Sequence, residues 1–373
     1  MKKLVLILAA TVLMASMCDR EPKPEPAPDP DPTPAEITFA KGADISWASE
    51  MEKDGKTFKK RDGSTADIFA VLADCGINAI RLRVWVDPYK GWSGKDDVVA
   101  LAKRAAKAQM AVMVDFHYSD FFADPGRQIM PAAWDADKGS LDKLCTHISQ
   151  HTTDVLNALK AAGVSPKWIQ IGNETRNGMM WPAGQLWTSA GDIANGYSNF
   201  AKLFNAGYHA AKAVFPEALV MPHLNNAYED NDWWFQRVKA AGANFDAIAL
   251  SHYPQAESGM TAAQYNQKAL ANIRSLYSTY KVPIIVSEVG VKPAKSDAAS
   301  VLKSFVDELK NIEGCGGVFY WEPEVYGGWK PEIYGKPDEI YRYTGKRETW
   351  GSYDQGAFSS DGSPSAIMDA FKD

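Results

Sequence analysis

Residues 168–174 read Trp-Ile-Gln-Ile-Gly-Asn-Glu, a short and mostly apolar run that ends in two polar side chains. A near-continuous apolar run of this length is typical of a parallel strand that is buried on both faces. The same kind of run occurs eight times along the chain, so the pattern describes one whole domain. The predicted strands are Phe39–Ser46, Ala79–Val84, Ala111–Phe116, Trp168–Gly172, Ala218–Pro222, Ala247–Ser251, Pro283–Ser287 and Gly317–Trp321.

Longer amphipathic segments separate these runs. Several end in glycine shortly before the next run, as at Gly76, Gly163 and Gly242, which is a helix C-terminal signal. Eight strand–helix alternations predict an α/β fold, a single (β/α)8 TIM barrel. A doubly wound sheet is the alternative, but no glycine-rich phosphate loop follows the first run. The predicted helices are Thr65–Cys75, Lys95–Gln109, Ser140–Ala162, Ile193–Phe215, Asn231–Ala241, Thr261–Tyr280, Ala298–Ile312 and Pro364–Phe371.

Polar side chains follow the apolar runs in a regular way. On such barrels the active site lies at the C-terminal ends of the strands, so functional side chains should cluster just after each run. The sequence has this pattern at all eight runs. The residues are Asp44, Trp47, Arg81, Arg83, Trp85, Asp115, His117, Asp120, Asn173, Glu174, His223, Asn225, His252, Tyr253, Glu288, Trp321, Glu322 and Glu324.

Two of these carboxylates end the fourth and seventh runs, which face each other across the mouth of a barrel: Glu174 and Glu288. Opposed carboxyl groups about 5–5.5 Å apart are the arrangement of a retaining glycosidase, in which one is the general acid/base and the other the nucleophile. We expect Glu288 to be held ionised by donors such as Arg83 and Tyr253. Glu174 should stay protonated because of burial and the charge of Glu288.

Other readings of these carboxylates remain open. Either glutamate alone could form a salt bridge at a strand end. Glu322 and Glu324 lie near the eighth run and could compete for the nucleophile role. They come just beyond Trp321, so subsite contacts or loop salt bridges are expected for them and Glu288 is favoured.

Longer segments around these residues resemble one family. The sequence is similar to the clan A glycoside hydrolases, and within them to glycoside hydrolase family 53, the endo-β-1,4-galactanases, over roughly residues 39–372. The segments that carry the resemblance are Lys41-Gly-Ala-Asp-Ile-Ser46, Arg81-Leu-Arg-Val-Trp-Val-Asp-Pro88, Asp115-Phe-His-Tyr-Ser-Asp120, Ala123-Asp-Pro-Gly-Arg-Gln128, Pro131-Ala-Ala-Trp134, Gln170-Ile-Gly-Asn-Glu174 and Ser251-His-Tyr-Pro254.

The resemblance implies an endo-β-1,4-galactanase in which Glu174 is the acid/base and Glu288 the nucleophile. Its substrate would be β-1,4-galactan, the neutral side chain of pectin. Another clan A enzyme, acting on mannan or β-glucan, and a non-catalytic glycan-binding protein are the alternatives. By the same resemblance, the residues that line the subsite of the cleaved sugar are Arg83, His117, Asn173, Tyr253 and Trp321, and further contacts are Asp44, Trp85 and Trp134.

We expect neither a cofactor nor a metal ion. Bacterial members of the family often carry a calcium loop after the seventh strand, but here residues 289–299 hold a single aspartate, whereas calcium needs several oxygen ligands. His147 and His151 lie four residues apart on a predicted helix. No glutamate follows His147, so the zinc-protease pattern fails and a solvated or core role is expected.

The net charge of −6 gives no basic electrostatic field that could attract nucleic acid or an anionic membrane.

The N-terminus indicates export. Lys2 and Lys3 precede the apolar run Leu4–Met14, which resembles a bacterial lipoprotein signal that ends before Cys18, although an ordinary secretory signal is the alternative. Alternating prolines then form a stiff spacer. We therefore predict a signal peptide at 1–17, a lipidated Cys18 and linker at 18–35, and a catalytic domain at 36–373, monomeric and lipid-anchored at the outer membrane or cell surface.

Overall fold

The computed structural model describes residues 37–254, 259–348 and 354–372. The predicted signal peptide, Cys18 and the linker lie outside the described residues. Within them, no helix combines the length and the apolar character that crossing a membrane requires. Cys75, Cys145 and Cys315 are free thiols; Cys75 and Cys315 are buried, and Cys145 is partly buried.

Eight parallel strands form the barrel, which confirms the predicted fold class. The last strand pairs with the first, with Asp44 opposite Trp321. The fifth strand is interrupted at Pro222; its first segment pairs with the fourth strand and its second with the sixth, so the ring continues through it. The strands are β1 (Ala40–Asp44), β2 (Ala79–Val84), β3 (Ala111–Phe116), β4 (Trp168–Ile171), β5 (Leu219–Met221 and His223–Leu224), β6 (Ile248–His252), β7 (Ile284–Val289) and β8 (Cys315–Trp321).

Helices surround the barrel close to the predicted positions, with three differences. α1 and α9 were not predicted. The first predicted helix begins later, because Thr65–Ala66 pairs with Phe58–Lys59 and the Asp67 side chain caps the helix by accepting from Phe69 N. The last predicted helix is a 3-10 helix, Ala366–Phe371. The α-helices are α1 (Ala48–Lys53), α2 (Ile68–Asp74), α3 (Lys95–Lys107), α4 (Leu141–Ala161), α5 (Gly196–Val214), α6 (Asp232–Ala240), α7 (Ala262–Tyr280), α8 (Ala298–Leu309) and α9 (Pro337–Thr344).

Large and small side chains alternate inside the barrel. Trp168 and Phe319 meet edge to face, with ring centroids 5.7 Å apart, among alanines that begin the neighbouring strands. Gly42 makes room for this pair, because a Cβ atom there would lie 2.0 Å from the Phe319 ring. The strands are thus buried on both faces, and this is why they appear in the sequence as apolar runs.

The segment after β8 covers one side of the barrel mouth. It packs on residues that follow β1: Trp329 donates to Asp54 at 2.8 Å, and the Tyr326 hydroxyl donates to the Thr57 carbonyl at 2.6 Å. Further along, Tyr334 meets Phe121, which follows β3. This segment therefore forms a wall beside the C-terminal ends of β1 to β3.

Candidate active site

A cavity of about 440 Å³ opens at the C-terminal mouth of the barrel. Most of its wall comes from the strand ends, as the barrel rule predicts. The loop after β3 and the segment after β8 complete it. The lining residues are Asp44, Arg81, Arg83, His117, Phe122, Ala123, Asp124, Arg127, Asn173, Glu174, Tyr253, Glu288, Trp321, Tyr334 and Gln355.

The two predicted catalytic glutamates meet in this cavity. One carboxylate oxygen of Glu174 and one of Glu288 lie within 4.8 Å of each other. Glu288 belongs to β7, whereas Glu174 follows β4 in a left-handed backbone conformation with φ 46°. Such a conformation costs a non-glycine residue about 1–3 kcal/mol and needs support from its surroundings. Here the next residue, Thr175, donates its backbone N–H to the His223 carbonyl at 2.8 Å.

Arg81 and Tyr253 hold the Glu288 carboxylate. Arg81 Nη2 lies 2.8 Å from Oε1, and the Tyr253 hydroxyl donates to Oε2 at 2.7 Å. The prediction was right for Tyr253 and wrong for Arg83, which forms its ion pair with Glu322 instead. The Arg83 guanidinium lies over the Trp47 ring, 4.1 Å from its centroid.

Arg81 is the centre of a buried charge network. It donates to Asp44 and Asp115 at 2.8 Å each and to Asn173 at 2.9 Å. Burial alone would lower the pKa of Arg81, but the nearby carboxylates raise it above its usual value, so the guanidinium stays charged. The network therefore brings a fixed positive charge to Glu288.

The pKa values of both glutamates are raised, but the neighbouring groups act on them differently. Burial, and after it the charge of Glu288, raise the pKa of Glu174 to about 8. Burial also raises the pKa of Glu288, but Arg81 and Tyr253 act in the opposite direction. Arg81 and Tyr253 thus favour the ionised form of Glu288, and the charge of Glu288 favours the protonated form of Glu174.

The loop after β3 is hydrogen-bonded to Asn173, the residue before Glu174. The Ala123 backbone N–H donates to His117 Nδ1 at 3.0 Å, so the His117 proton lies on Nε2, which is 2.9 Å from Asp115. Asn173 Nδ2 donates to the Ala123 carbonyl at 2.8 Å, and Gln128 Nε2 donates to the Asn173 carbonyl at 2.8 Å. These bonds fix the position and orientation of Asn173.

Six of the eight predicted sugar contacts line the cavity: Asp44, Arg83, His117, Asn173, Tyr253 and Trp321. Trp85 and Trp134 do not. Trp85 is 2% exposed and packs behind Arg83. Trp134 stacks on His147 of α4, with ring centroids 5.4 Å apart, and is 6% exposed. Both indoles serve the packing of the loops around the mouth, and this corrects the expectation that they face the sugar.

Neither Glu322 nor Glu324, the two glutamates that could compete for the nucleophile role, lines the cavity. Glu322 pairs with Arg83, as expected for a salt bridge. Glu324 is fully buried and forms no salt bridge with the described residues, so the expectation of a subsite contact or a salt bridge was wrong for it. His147 Nε2 contacts Asp137 at 2.9 Å, and His151 is partly buried beside Phe116, so both have the predicted solvated or core roles.

Sequence reasoning missed several supports of the site. Arg81 appeared among the strand-end residues but was not selected, and His223 and Ser251 were not considered as partners of the glutamates. The sequence places Arg81 and Arg83 two residues apart, and therefore on the same face of β2. It carries no signal for which of them is within reach of β7.

One group among the described residues has the proximity of a metal site: Glu174, His223 and Glu288. Both ring nitrogens of His223 face protein atoms, however: Asn173 Oδ1 at 2.9 Å and Ser251 Oγ at 2.8 Å. A metal ion would have to displace one of these hydrogen bonds. The arrangement is better suited to positioning two carboxyl groups than to coordination.

Known proteins resemble this chain over most of its length. The family model described as glycosyl hydrolase family 53 matches residues 40–300, which include both glutamates. An arabinogalactan endo-β-1,4-galactanase of Thermothelomyces thermophilus is 30% identical over 306 residues, covering 75% of this chain and 88% of that protein. Arabinogalactan endo-β-1,4-galactanase A of Aspergillus niger is 30% identical over 316 residues, covering 78% and 86%. A solved fungal β-1,4-galactanase superposes with a TM-score of 0.73 at 27% identity, covering 90% of this chain and 99% of that one.

Proposed function

Since the chain belongs to glycosyl hydrolase family 53 and is a glycoside hydrolase, we propose that it cleaves β-1,4-galactan within the polymer by a retaining, double-displacement reaction. The names of its relatives support the substrate. The observation that carries the mechanism is the pair Glu174 and Glu288, whose nearest carboxylate oxygens lie within 4.8 Å. An inverting enzyme places a water between its carboxyl groups and needs about 6.5–9.5 Å, so the observed spacing favours retention.

In the first step, protonated Glu174 gives its proton to the glycosidic oxygen while a Glu288 oxygen attacks the anomeric carbon. The bond from the anomeric carbon to the leaving sugar breaks, and a glycosyl ester forms on Glu288. The pKa of about 8 keeps Glu174 protonated near neutral pH, as this step requires. Glu288 loses its negative charge as the ester forms.

In the second step, Glu174 takes a proton from water and the resulting hydroxide attacks the same carbon. The ester bond to Glu288 breaks, and the sugar leaves with the configuration it had in the polymer. Esterification removes the charge of Glu288, which is one of the causes of the raised Glu174 pKa. The pKa of Glu174 therefore falls, and Glu174 ionises more readily for its role as the base.

The other lining residues hold the sugar during both steps. Asn173 Nδ2 uses one hydrogen on the Ala123 carbonyl, and its second hydrogen serves the 2-hydroxyl of the reacting sugar. Trp321 offers an aromatic surface to the apolar face of the ring. Asp44, Arg83, His117 and Tyr253 complete this subsite. Galactan side chains of pectin are the natural polymer of this type.

Hydrolysis of three polymers tests the proposal. Linear β-1,4-galactan should be cut to short oligosaccharides, while β-mannan and β-glucan stay intact. Cleavage of mannan or glucan instead would keep the two glutamate roles and overturn the substrate. If none is cleaved, and the Glu174→Gln and Glu288→Gln variants still bind galactan as the unmodified protein does, the protein is a glycan-binding protein and the enzymatic proposal fails.

A further inference from the structure

Behind the two glutamates, a buried histidine and a serine join the β4 end to β7. His223 and Ser251 are both fully buried, on β5 and β6. His223 Nε2 lies 2.8 Å from Ser251 Oγ, and Ser251 Oγ lies 3.3 Å from Glu288 Oε2. The same hydroxyl also forms a hydrogen bond with the Glu174 carboxyl group. One hydroxyl proton therefore faces three acceptors.

The hydrogen bonds at His223 Nδ1, on the other side of the imidazole ring, determine which of the three acceptors receives the Ser251 hydroxyl proton. Asn173 Nδ2 donates to the Ala123 carbonyl, and Asn173 Oδ1 accepts from Arg81, so the orientation of the amide is fixed. The atom 2.9 Å from His223 Nδ1 is thus an oxygen, which can only accept. Nδ1 therefore carries the hydrogen. The Glu174 backbone N–H also points at Nδ1, but from the longer distance of 3.3 Å.

A neutral imidazole has one N–H, so Nε2 is left as an acceptor. Burial, and after it the charge of Arg81, hold the pKa of His223 well below its usual value, which keeps the ring neutral. The Ser251 hydroxyl then donates to Nε2, its nearest acceptor, and has no second hydrogen for Glu288.

We propose that His223 is a positioning residue of the catalytic pair: it donates to the Asn173 amide oxygen and accepts the Ser251 hydrogen bond, so that Ser251 does not donate to the nucleophile. Glu288 then has Arg81 and Tyr253 as its side-chain donors and keeps more of its charge for attack. A third donor would stabilise the carboxylate and lower its nucleophilicity. This inference rests on the proposed reaction, although its first test does not.

The tautomer of His223 can be measured without substrate. In 15N-histidine-labelled protein, two-bond 15N–1H correlations distinguish Nδ1–H from Nε2–H, and the His223→Phe variant assigns the signal among the six histidines. We expect the Nδ1–H form. An Nε2–H ring would overturn the proposal, because it would leave the Ser251 hydrogen free for Glu288. Inactivity on galactan would overturn the proposed function and leave this result unchanged.

The acid limb of kcat/KM against pH gives the second test, because it reports the ionisation of Glu288 in the free enzyme. His223→Phe frees the Ser251 hydroxyl for the nucleophile, so the limb should move down by about one pH unit, the scale of a hydrogen bond to a charged group. His223→Phe combined with Ser251→Ala should restore the original limb. Ser251→Ala alone should leave the limb in place; if it moves the limb upward, Ser251 donates to Glu288 and the proposal is wrong.

Two matched controls separate this effect from general disturbance. Ser287→Ala removes a buried hydroxyl one residue before Glu288, and His252→Phe replaces a buried histidine that contacts Asn266 at 2.8 Å. Neither should move the acid limb. The variants leave in place the titratable groups that face the network: Asp44, Arg81, Asp115, His117, Glu174, Tyr253, Glu288 and Glu322.

Discussion

Arg81 and Arg83 leave the same face of β2, two residues apart, but they serve different carboxyl groups. Arg81 contacts Glu288, whereas Arg83 pairs with Glu322 inside a ring of aromatic side chains. The alternation of the strand predicts that both point toward the same side. It does not fix how far along the mouth each guanidinium reaches, since that depends on β7 and β8, which lie about 200 residues away in sequence. The two glutamates were predictable because their strands are opposed in any such barrel.

Replacing Arg81 should change the ionisation of the nucleophile. In Arg81→Lys the ammonium cannot reach all the acceptors of the guanidinium. The positive charge then counteracts the effect of burial less strongly, so the pKa of Glu288 rises. The acid limb of kcat/KM should move to higher pH, and kcat/KM should fall about 10- to 100-fold, the scale of one charge-assisted hydrogen bond. Arg83→Lys is the control, because its partner is Glu322. An equal shift in both variants would contradict the assignment of Arg81.

Glu324 should make stability depend on pH. Burial, and after it the charge of Glu322, raise its pKa well above the usual value of 4.5. The folded protein thus holds a proton that the unfolded chain releases, and the stability this contributes is present below pH 4.5 and is lost as the pH rises. Glu324→Gln should therefore raise Tm by roughly 2 °C or more at pH 8, with a smaller gain at pH 4. Thermal unfolding at the two pH values measures this; a larger gain at pH 4 would contradict it.

Among the structural elements, the strands of the barrel could be predicted from the sequence, whereas the hairpins, helix and loop packing at its mouth could not. Burial on both faces leaves each strand with an apolar run that is visible in the sequence. Two hairpins follow β4, at Gly178–Gln185 and Trp187–Asp192. Glycines and long-range contacts hold them, and their sequences contain no apolar run of this kind. Neither α9 nor the packing of Trp329 and Tyr326 on the residues that follow β1 was predicted.

The β1–β8 contact depends on a glycine. Gly42→Ala would place a methyl group 2.0 Å from the Phe319 ring, so the ring must move within a close-packed interior. We expect the free energy of unfolding to fall by about 1–3 kcal/mol, measured by denaturant titration. Gly139→Ala is the matched control, since nothing lies within 4 Å of its added Cβ. Equal stability of the two variants would show that β1 and β8 are packed differently.

For the molecule as a whole, we propose that the predicted N-terminal leader exports the enzyme and anchors it by a lipid. Cys18 follows an apolar run and precedes alternating prolines, an arrangement suited to a lipid anchor with a spacer. Expressed in a bacterium, the full chain should incorporate labelled palmitate and sediment with membranes. Cys18→Ser should abolish both, while an ordinary secretory signal would leave both proteins soluble and unlabelled.

In the proposed reaction, Glu288 attacks the sugar and Glu174 supplies the proton. A 2-deoxy-2-fluoro-β-galactobiosyl fluoride tests it directly, because the fluorine slows the second step and the glycosyl ester accumulates. The intact mass should rise by one fluorinated disaccharide unit, and peptide mapping should place it on Glu288. An unmodified protein that nevertheless cleaves galactan, or a label on Glu322 or another residue, would contradict the claim.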